Sequence, residues 1–417
     1  MSLSCFELGE QMLSVDAARE ALMTLVASPV ATEQVALSSA HGRRLAEDII
    51  APIDVPQNTN AAMDGVALAW PKAPPYTTHF PIVGGAFAGQ AFADEVPAGQ
   101  CVRITTGAPI PRGTDTVIMR EQLIDDGASA TVDAPERVTA GQHVRQAGED
   151  IAKGSVALAA GARLDAARMG LVASLGHAVV TVYRRPRVAI FSTGNEVTPP
   201  GDPLPSAGVY DTNRFTLMGL LAEQGAEVLD LGILPDDLDA IETALASAAT
   251  QSDLVITSGG VSVGNADYTR AALEKLGRLA FWRVALRPGR PMACGQLGAT
   301  QTPLIGLPGN PVAVMVTFLQ FVVPLLRQLQ GLTPAPPPRL KAIAQTTLKS
   351  RLQRTDFIRG VYHCDDQGTL HVRSTGAQGS GILTSMVAAN CLIELGDNQA
   401  GAQPGEVVCI QPITSWQ

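Results

Sequence analysis

Residues 187–196 read RVAIFSTGNE, residues 227–237 EVLDLGILPDD, and residues 253–267 DLVITSGGVSVGNAD. Each begins as a short apolar run and breaks at a turn of glycine, proline or small polar residues with an acid behind it. Stretches of helical periodicity at 214–224 and 238–249 separate them. Strand, helix and strand in alternation is the rhythm of βαβ units on a parallel sheet. Ligands of such sheets gather at the carboxyl ends of the strands. The acids there are Glu196, Asp236 and Asp267. Carboxylates at one sheet edge are the hard oxygen ligands that magnesium takes, and a helix cap or turn is the plainer role for each.

The glycine-rich loop TSGGVSVGNAD lies between an apolar strand and a helix over 271–276, where backbone amides can cradle phosphate. It has neither the Walker lysine nor the GxGxxG spacing, so neither a P-loop nor a dinucleotide fingerprint is supported. Further on, RLAFWRVALRPGR carries Arg278, Arg283, Arg287 and Arg290 with no acid among them. If FWRVALR is one strand, Arg283 and Arg287 share a face opposite Trp282, Val284 and Leu286. That pair suits a tetrahedral oxyanion or a phosphate, and equally a solvated edge strand.

Working outward, YRRPR at 183–187 starts this domain, and GLPGNP leads into its last long helix, with Asn310 at the cap and Pro311 first in the helix. TPAPPP at 333–338 is a stiff linker to a small all-β module. On the amino-terminal side, Ser14 caps a helix predicted over 15–26. Short strands such as CVRIT and TVIM make 54–150 a β-rich insertion. The expected division is therefore 1–53 with 151–185, 54–150, 186–333 and 334–417. The expected fold class is α/β multidomain, with a central parallel-sheet domain, the β-rich insertion and a carboxyl-terminal β-barrel.

A chain of 417 residues exceeds what a single core serves. A net charge of -9 disfavours a general grip on nucleic acid or on an anionic membrane. Glu7, Glu10 and Asp16 interrupt any secretory apolar core, which points to the cytoplasm. The apolar stretch 312–329 contains Thr317, Gln320, Pro324 and Arg327 and reads as a buried helix rather than a membrane span. The six cysteines form no CxxC pair, and no HExxH spacing supports zinc.

In chain order, AAMDG, RITTGAP, GED, FSTGNE, YDTN, SGGVSVGNADY, RPGRP, GLPGNPV and QGS resemble the molybdopterin molybdenumtransferase family, which includes the gephyrin E domain. The nine motifs stand in register across about 320 residues. The resemblance implies four domains, one of them discontinuous, and a homodimer whose active site draws on both subunits. It implies that adenylyl-molybdopterin and molybdate give molybdenum cofactor and AMP, with Mg2+. By motif match, Glu196, Asp236 and Asp267 serve the nucleotide and magnesium end, and Asp64 and Asp150 contribute across the dimer cleft. Arg283, Arg287, Arg354 and Ser380 stand around molybdate and the pterin phosphate. Thr106, Arg145, Asn213, Ser258, Gly259, Gly260, Pro308 and Pro311 fall in motifs implicated in substrate binding.

The sequence departs from the common bacterial pattern at RPGRP, where lysines at 287 and 290 are usual, at Val66 in place of a tyrosine, and at Ala61 in place of a serine. Two other functions compete. Molybdopterin adenylylation uses a similar α/β domain, but those proteins show GGTG where this chain has GGVS. A gephyrin-like dimeric scaffold would not need five acids. Implied partners are the adenylyltransferase upstream and the molybdoenzymes that receive the product.

Overall fold

The computed structural model describes residues 12–73, 76–259, 268–333 and 335–413, which form two compact units. The first comprises 1–33, 42–46 and 182–417, and the second 34–41 and 47–181.

The second unit is built on a six-stranded sheet in the order Thr116–Met119, Gly65–Leu68, Cys101–Ile104, His79–Ala86, Ser129–Val132, Leu123–Asp125. Alternation along Gly65–Leu68 sends Val66 and Leu68 into a cluster with Trp70, Phe80 and Ile118, and Ala67 into another with Val102, Ile104 and Val117. Val66 thus fills a core position, where a phenol would have needed a partner for its hydroxyl.

In the first unit a seven-stranded sheet runs Met12–Leu13, Gly277–Val284, Pro291–Leu297, Thr302–Leu307, Leu254–Ser258, Arg187–Thr193, Glu227–Leu234. The four strands from Thr302–Leu307 to Glu227–Leu234 are parallel, and each expected βαβ element is present. Beyond them Pro291–Leu297 runs antiparallel to both neighbours, so the sheet is mixed rather than wholly parallel. From Val188 to Thr193 every residue is buried, because helices cover both faces. Leu217 and Leu221 of Thr212–Glu223 pack on one face with Leu22 of Val15–Met23, and Ile241 and Leu245 of Leu238–Gln251 on the other. The amino-terminal helix ends at Met23, earlier than its periodicity suggested, with Ser14 accepting from the Ala17 amide as its cap.

Pro311–Leu329 is the one helix among the described residues long and apolar enough to cross a membrane, and most of it is buried within the protein. Its turn at Phe318–Val322 is π-helical. Asn310 stands at the cap position without a side-chain cap bond, and Pro311 is the first helical residue as expected.

The carboxyl-terminal strands close a barrel: Thr355–Cys364, Leu370–Ser374, Leu340–Ala344, Val407–Pro412, Cys391–Leu395 and back to Thr355–Cys364. Ile358, Val372, Ile393 and Ile410 fill it.

One sequence expectation changes here. FWRVALR is not a single strand: Gly277–Val284 ends in the large sheet, and Leu286–Arg287 pairs with Thr355 and Asp356 of the barrel. The alternation survives the bend, since Trp282, Val284 and Leu286 are buried while Arg283 and Arg287 are exposed. The bend nevertheless divides the two arginines between different sheets.

Candidate functional site

Where Leu286–Arg287 crosses to the barrel, two adjoining hollows of about 550 and 330 Å³ form a cleft. They share Arg287, Pro288 and Gln378. The larger is walled by the sheet-end loops, Gly259 and Pro308 to Asn310, and by Gly379 and Ser380 opposite. Lys349, Arg359 and Ser374 of the barrel line the smaller. The walls are tied together where the Val312 amide, in the first turn of the long helix, donates to the Ser380 carbonyl at 3.1 Å.

Arg359 dominates the electrostatics of this cleft. It is 1% exposed; its Nε donates to Ser385 Oγ at 3.0 Å and its Nη2 to the Gly379 carbonyl at 2.9 Å. Among the described residues no carboxylate pairs with it. Burial, and then the charge of Arg287, push its guanidinium down to about 10, which still leaves it charged at neutral pH. A buried cation that meets only neutral acceptors and a second cation is costly alone, and it is offset when an anion binds. Arg359, Lys349, Ser374 and Gln378 were not singled out from the sequence.

Arg354, expected beside the oxyanion, is already paired: its Nη2 donates to Asp356 Oδ2 at 3.0 Å. Its Nε lies 2.7 Å from Asp356 Oδ1 but out of line for a hydrogen bond. Asp356 sits two residues along, at the start of the strand Thr355–Cys364, and neutralises it. Arg283 lies next to Met12 in the large sheet and lines neither hollow, whereas Arg287 and Ser380 both face the cleft. Arg290 is exposed and also lies outside the lining. Asn213 is engaged with protein, its Nδ2 donating to the Gly309 carbonyl at 2.7 Å, so it shapes the loop that Pro308 belongs to. Gly259 donates its amide to Leu307, and Ser258 is a buried strand residue paired with Ser192.

Glu196 and Asp236 follow adjacent parallel strands, whose last pair is Thr193 and Leu234. Both acids are exposed, and neither side chain has a partner among the described residues. The cap of the next helix is made by Asp237, whose carboxylate accepts from the Ala240 amide, so the capping role does not fall to Asp236. Gly260 and Asp267 lie outside the described residues. Among the described residues no three acidic, histidine or cysteine side chains converge as a metal cluster. Gly194 has φ +124°, and a Cβ there would stand 2.6 Å from Glu196 Oε2. Gly194→Ala is therefore expected to cost roughly 1–3 kcal/mol in backbone strain and to displace the Glu196 carboxylate. A thermal melt together with a magnesium titration checks both effects.

In the second unit, Asp64 Oδ1 accepts from the Thr106 amide at 2.7 Å and from its hydroxyl at 2.8 Å. The amide bond first, and then the hydroxyl, hold this exposed carboxyl below its ordinary value of 3.8. Because that value is depressed on folding, the pair's contribution is full above pH 3.8 and is lost as pH falls through the lowered value. Thr106→Val keeps the amide donor and should raise the Asp64 titration only part of the way back, read by carboxyl NMR. Arg145 pairs in register with Asn60, one residue before Ala61, where the backbone turns toward Asp64. Asp150 donates its amide to Val55, and its carboxylate has no partner among the described residues.

Residues 13–176 match the MoeA N-terminal region (domain I and II), 189–328 the probable molybdopterin binding domain, and 341–413 the MoeA C-terminal region (domain IV). A Haemophilus influenzae protein described as molybdopterin molybdenumtransferase is 45% identical over 404 residues, 96% of this chain and 98% of its own. A Bacillus subtilis protein of the same description is 34% identical, covering 90% of this chain and 89% of its own. The crystal structure of a molybdopterin biosynthesis moeA protein from Pyrococcus horikoshii OT3 aligns with a TM-score of 0.83 at 29% identity, covering 97% of this chain and all of that one.

Proposed function

The chain belongs to the molybdopterin molybdenumtransferase family of molybdenum cofactor biosynthesis, and from that premise we propose that it inserts molybdate into adenylyl-molybdopterin and releases AMP. The observation that carries this reading is a cleft with a buried arginine that no carboxylate pairs among the described residues, the one carboxylate in its lining, Asp356, being paired with Arg354. Molybdate is a tetrahedral dianion, and it brings the charge that Arg359 and Arg287 lack. Arg359 supplies a fixed guanidinium fork, while Arg287 and Lys349 supply charge nearer solvent. Ser374 and Ser380 offer hydroxyls to the oxygens.

The pterin's own dithiolene sulfurs take the metal, so the protein contributes position and charge rather than a nucleophile. Gly259 and the Pro308–Gly309–Asn310 loop leave room at the strand ends for the phosphate-bearing end of the substrate. Glu196 and Asp236 fit magnesium, which is commonly held by one or two carboxylates plus substrate phosphates. When bound there, magnesium supplies charge that stabilises the phosphoanhydride as it cleaves. Asp64 with Thr106, Arg145 and Asp150 are assigned to the same reaction in a homodimer. This reading sets the protein in the cytoplasm, after an adenylyltransferase and before the recipient molybdoenzymes.

Calorimetric titration with molybdate tests the cleft directly. One site per chain, weakened by competing tungstate, is expected. The absence of heat with either ion would remove the oxyanion reading and favour the scaffold role.

A further inference from the structure

A chain of polar side chains runs through apolar packing between the large sheet's helices and the barrel. Gln320 is 0% exposed and Gln411 3% exposed, and Gln320 Nε2 donates to Gln411 Oε1 at 2.7 Å. On the barrel side, Gln411 Nε2 donates to Glu394 Oε2 at 2.8 Å, and Glu394 accepts from Arg339 through both oxygens, at 2.8 and 2.7 Å. On the helix side, Arg19 Nε donates to the Gln320 carbonyl at 3.2 Å and its Nη2 to Gln320 Oε1 at 3.3 Å. Asp16 holds the far end of Arg19 at 2.7 Å.

Gln320 lies in the π-helical turn Phe318–Val322. A π-turn loosens the regular backbone ladder and recurs at functional positions. Here the Gln320 carbonyl is open to Arg19 while the side chain reaches the barrel. Around it Phe318, Phe321, Val322 and Leu325 are fully buried. In such a setting an apolar pair would pack at least as well, because exchanging a buried polar network for hydrophobes is often neutral or stabilising. Stability alone does not account for these groups, but a specific docking geometry does.

The same helix meets the carboxyl-terminal segment a second time, where the Val312 amide donates to the Ser380 carbonyl inside the cleft. Eight residues separate Val312 from Gln320, about 12 Å along a helix. Two contacts that far apart fix an angle, which a single contact cannot do.

We propose that the Gln320–Gln411 hydrogen bond, anchored by Arg19 and by Glu394, is a positioning device that sets the width of the oxyanion cleft from the other end of the helix. Gln320 and Gln411 touch no substrate and act through the helix on Ser380 and its loop. The link to oxyanion affinity rests on the function proposed above; the link to cleft geometry does not.

The test uses the full chain with Gln320→Met and Gln411→Met together, which removes both partners of that bond while Arg19 keeps the Gln320 carbonyl and Asp16, and Glu394 keeps Arg339. Hydrogen exchange is followed in peptides covering 311–316 and 376–382, alongside the thermal midpoint and molybdate titration. The expected result is a retained midpoint, faster exchange in both segments, and molybdate affinity lowered about threefold to tenfold. Glu394→Gln keeps a hydrogen-bonding group next to Gln411 and weakens only the outer anchor. It should loosen the same segments to a lesser degree and guards against a double variant that does not fold. Unchanged exchange at both segments in folded variants overturns the proposal. Wild-type protein that binds no molybdate would sink the oxyanion reading instead, and the exchange result would still decide the positioning role.

Discussion

Arg359→Met is expected to weaken molybdate binding about 10- to 150-fold while leaving the fold as stable as before, or more so. The loss follows from removing a charged donor to a charged acceptor, worth about 1.5–3 kcal/mol. The opposite sign for stability follows from the same burial. Among the described residues the Arg359 side chain donates to the Ser385 hydroxyl and the Gly379 carbonyl, with Arg287 adding repulsion. Ser385 keeps its own bond to the Ile382 carbonyl when the guanidinium is gone, and the Gly379 carbonyl keeps the Ile382 amide, so the variant leaves neither a buried charge nor an acceptor without a donor. Arg359→Lys retains charge but not the planar fork and should fall between the two. Calorimetry and a thermal melt on the same samples separate the effects. A variant that lost stability and affinity together would mark Arg359 as a structural residue.

Glu196→Gln combined with Asp236→Asn should lower AMP release on the order of a hundredfold or more while leaving molybdate affinity unchanged. Both acids stand at the ends of adjacent parallel strands, and neither lines the cleft of Arg287 and Arg359. On the proposed reading, losing both carboxylates removes two of the three acids expected at the magnesium end, and with them several kcal/mol of charge stabilisation at the phosphoanhydride. The single variants should recover at raised magnesium, because one carboxylate with substrate phosphates is a common magnesium environment. Single-turnover AMP release against magnesium concentration, beside molybdate titration, reads the division. A matching fall in molybdate affinity would mean that the two ends of the site are not separable.

The parallel strands were legible because their burial on both faces writes continuous apolar runs, and the turn after each run carries its acid. From that pattern Glu196 and Asp236 follow without any coordinates. Of Arg354 and Arg359, five residues apart in RTDFIR, only the first was expected at the oxyanion, by motif match. What separates them is a partner: Asp356, two residues on, neutralises the first, while among the described residues no carboxylate pairs with the second. The acid at the i+2 position was a signal that could have been used. The bend at Ala285 was less accessible, since no glycine or proline lies within FWRVALR, and it takes the barrel's pairing with Arg287 to pull the chain out of the large sheet. Asn213 is a similar case, as its motif marked importance while its amide turned out to serve the Gly309 carbonyl. The Arg287 pairing and the Asn213 bond join segments more than fifty residues apart, where local pattern has no reach.

The central claim is that the oxyanion cleft and the carboxylate pair serve one reaction. The most direct test is AMP release from adenylyl-molybdopterin with magnesium, with and without molybdate, using wild-type protein beside Arg359→Met. Release that requires molybdate, and that in the variant returns only at raised molybdate, is the expected result. Release that proceeds equally without molybdate, or that is untouched by the variant, would contradict it.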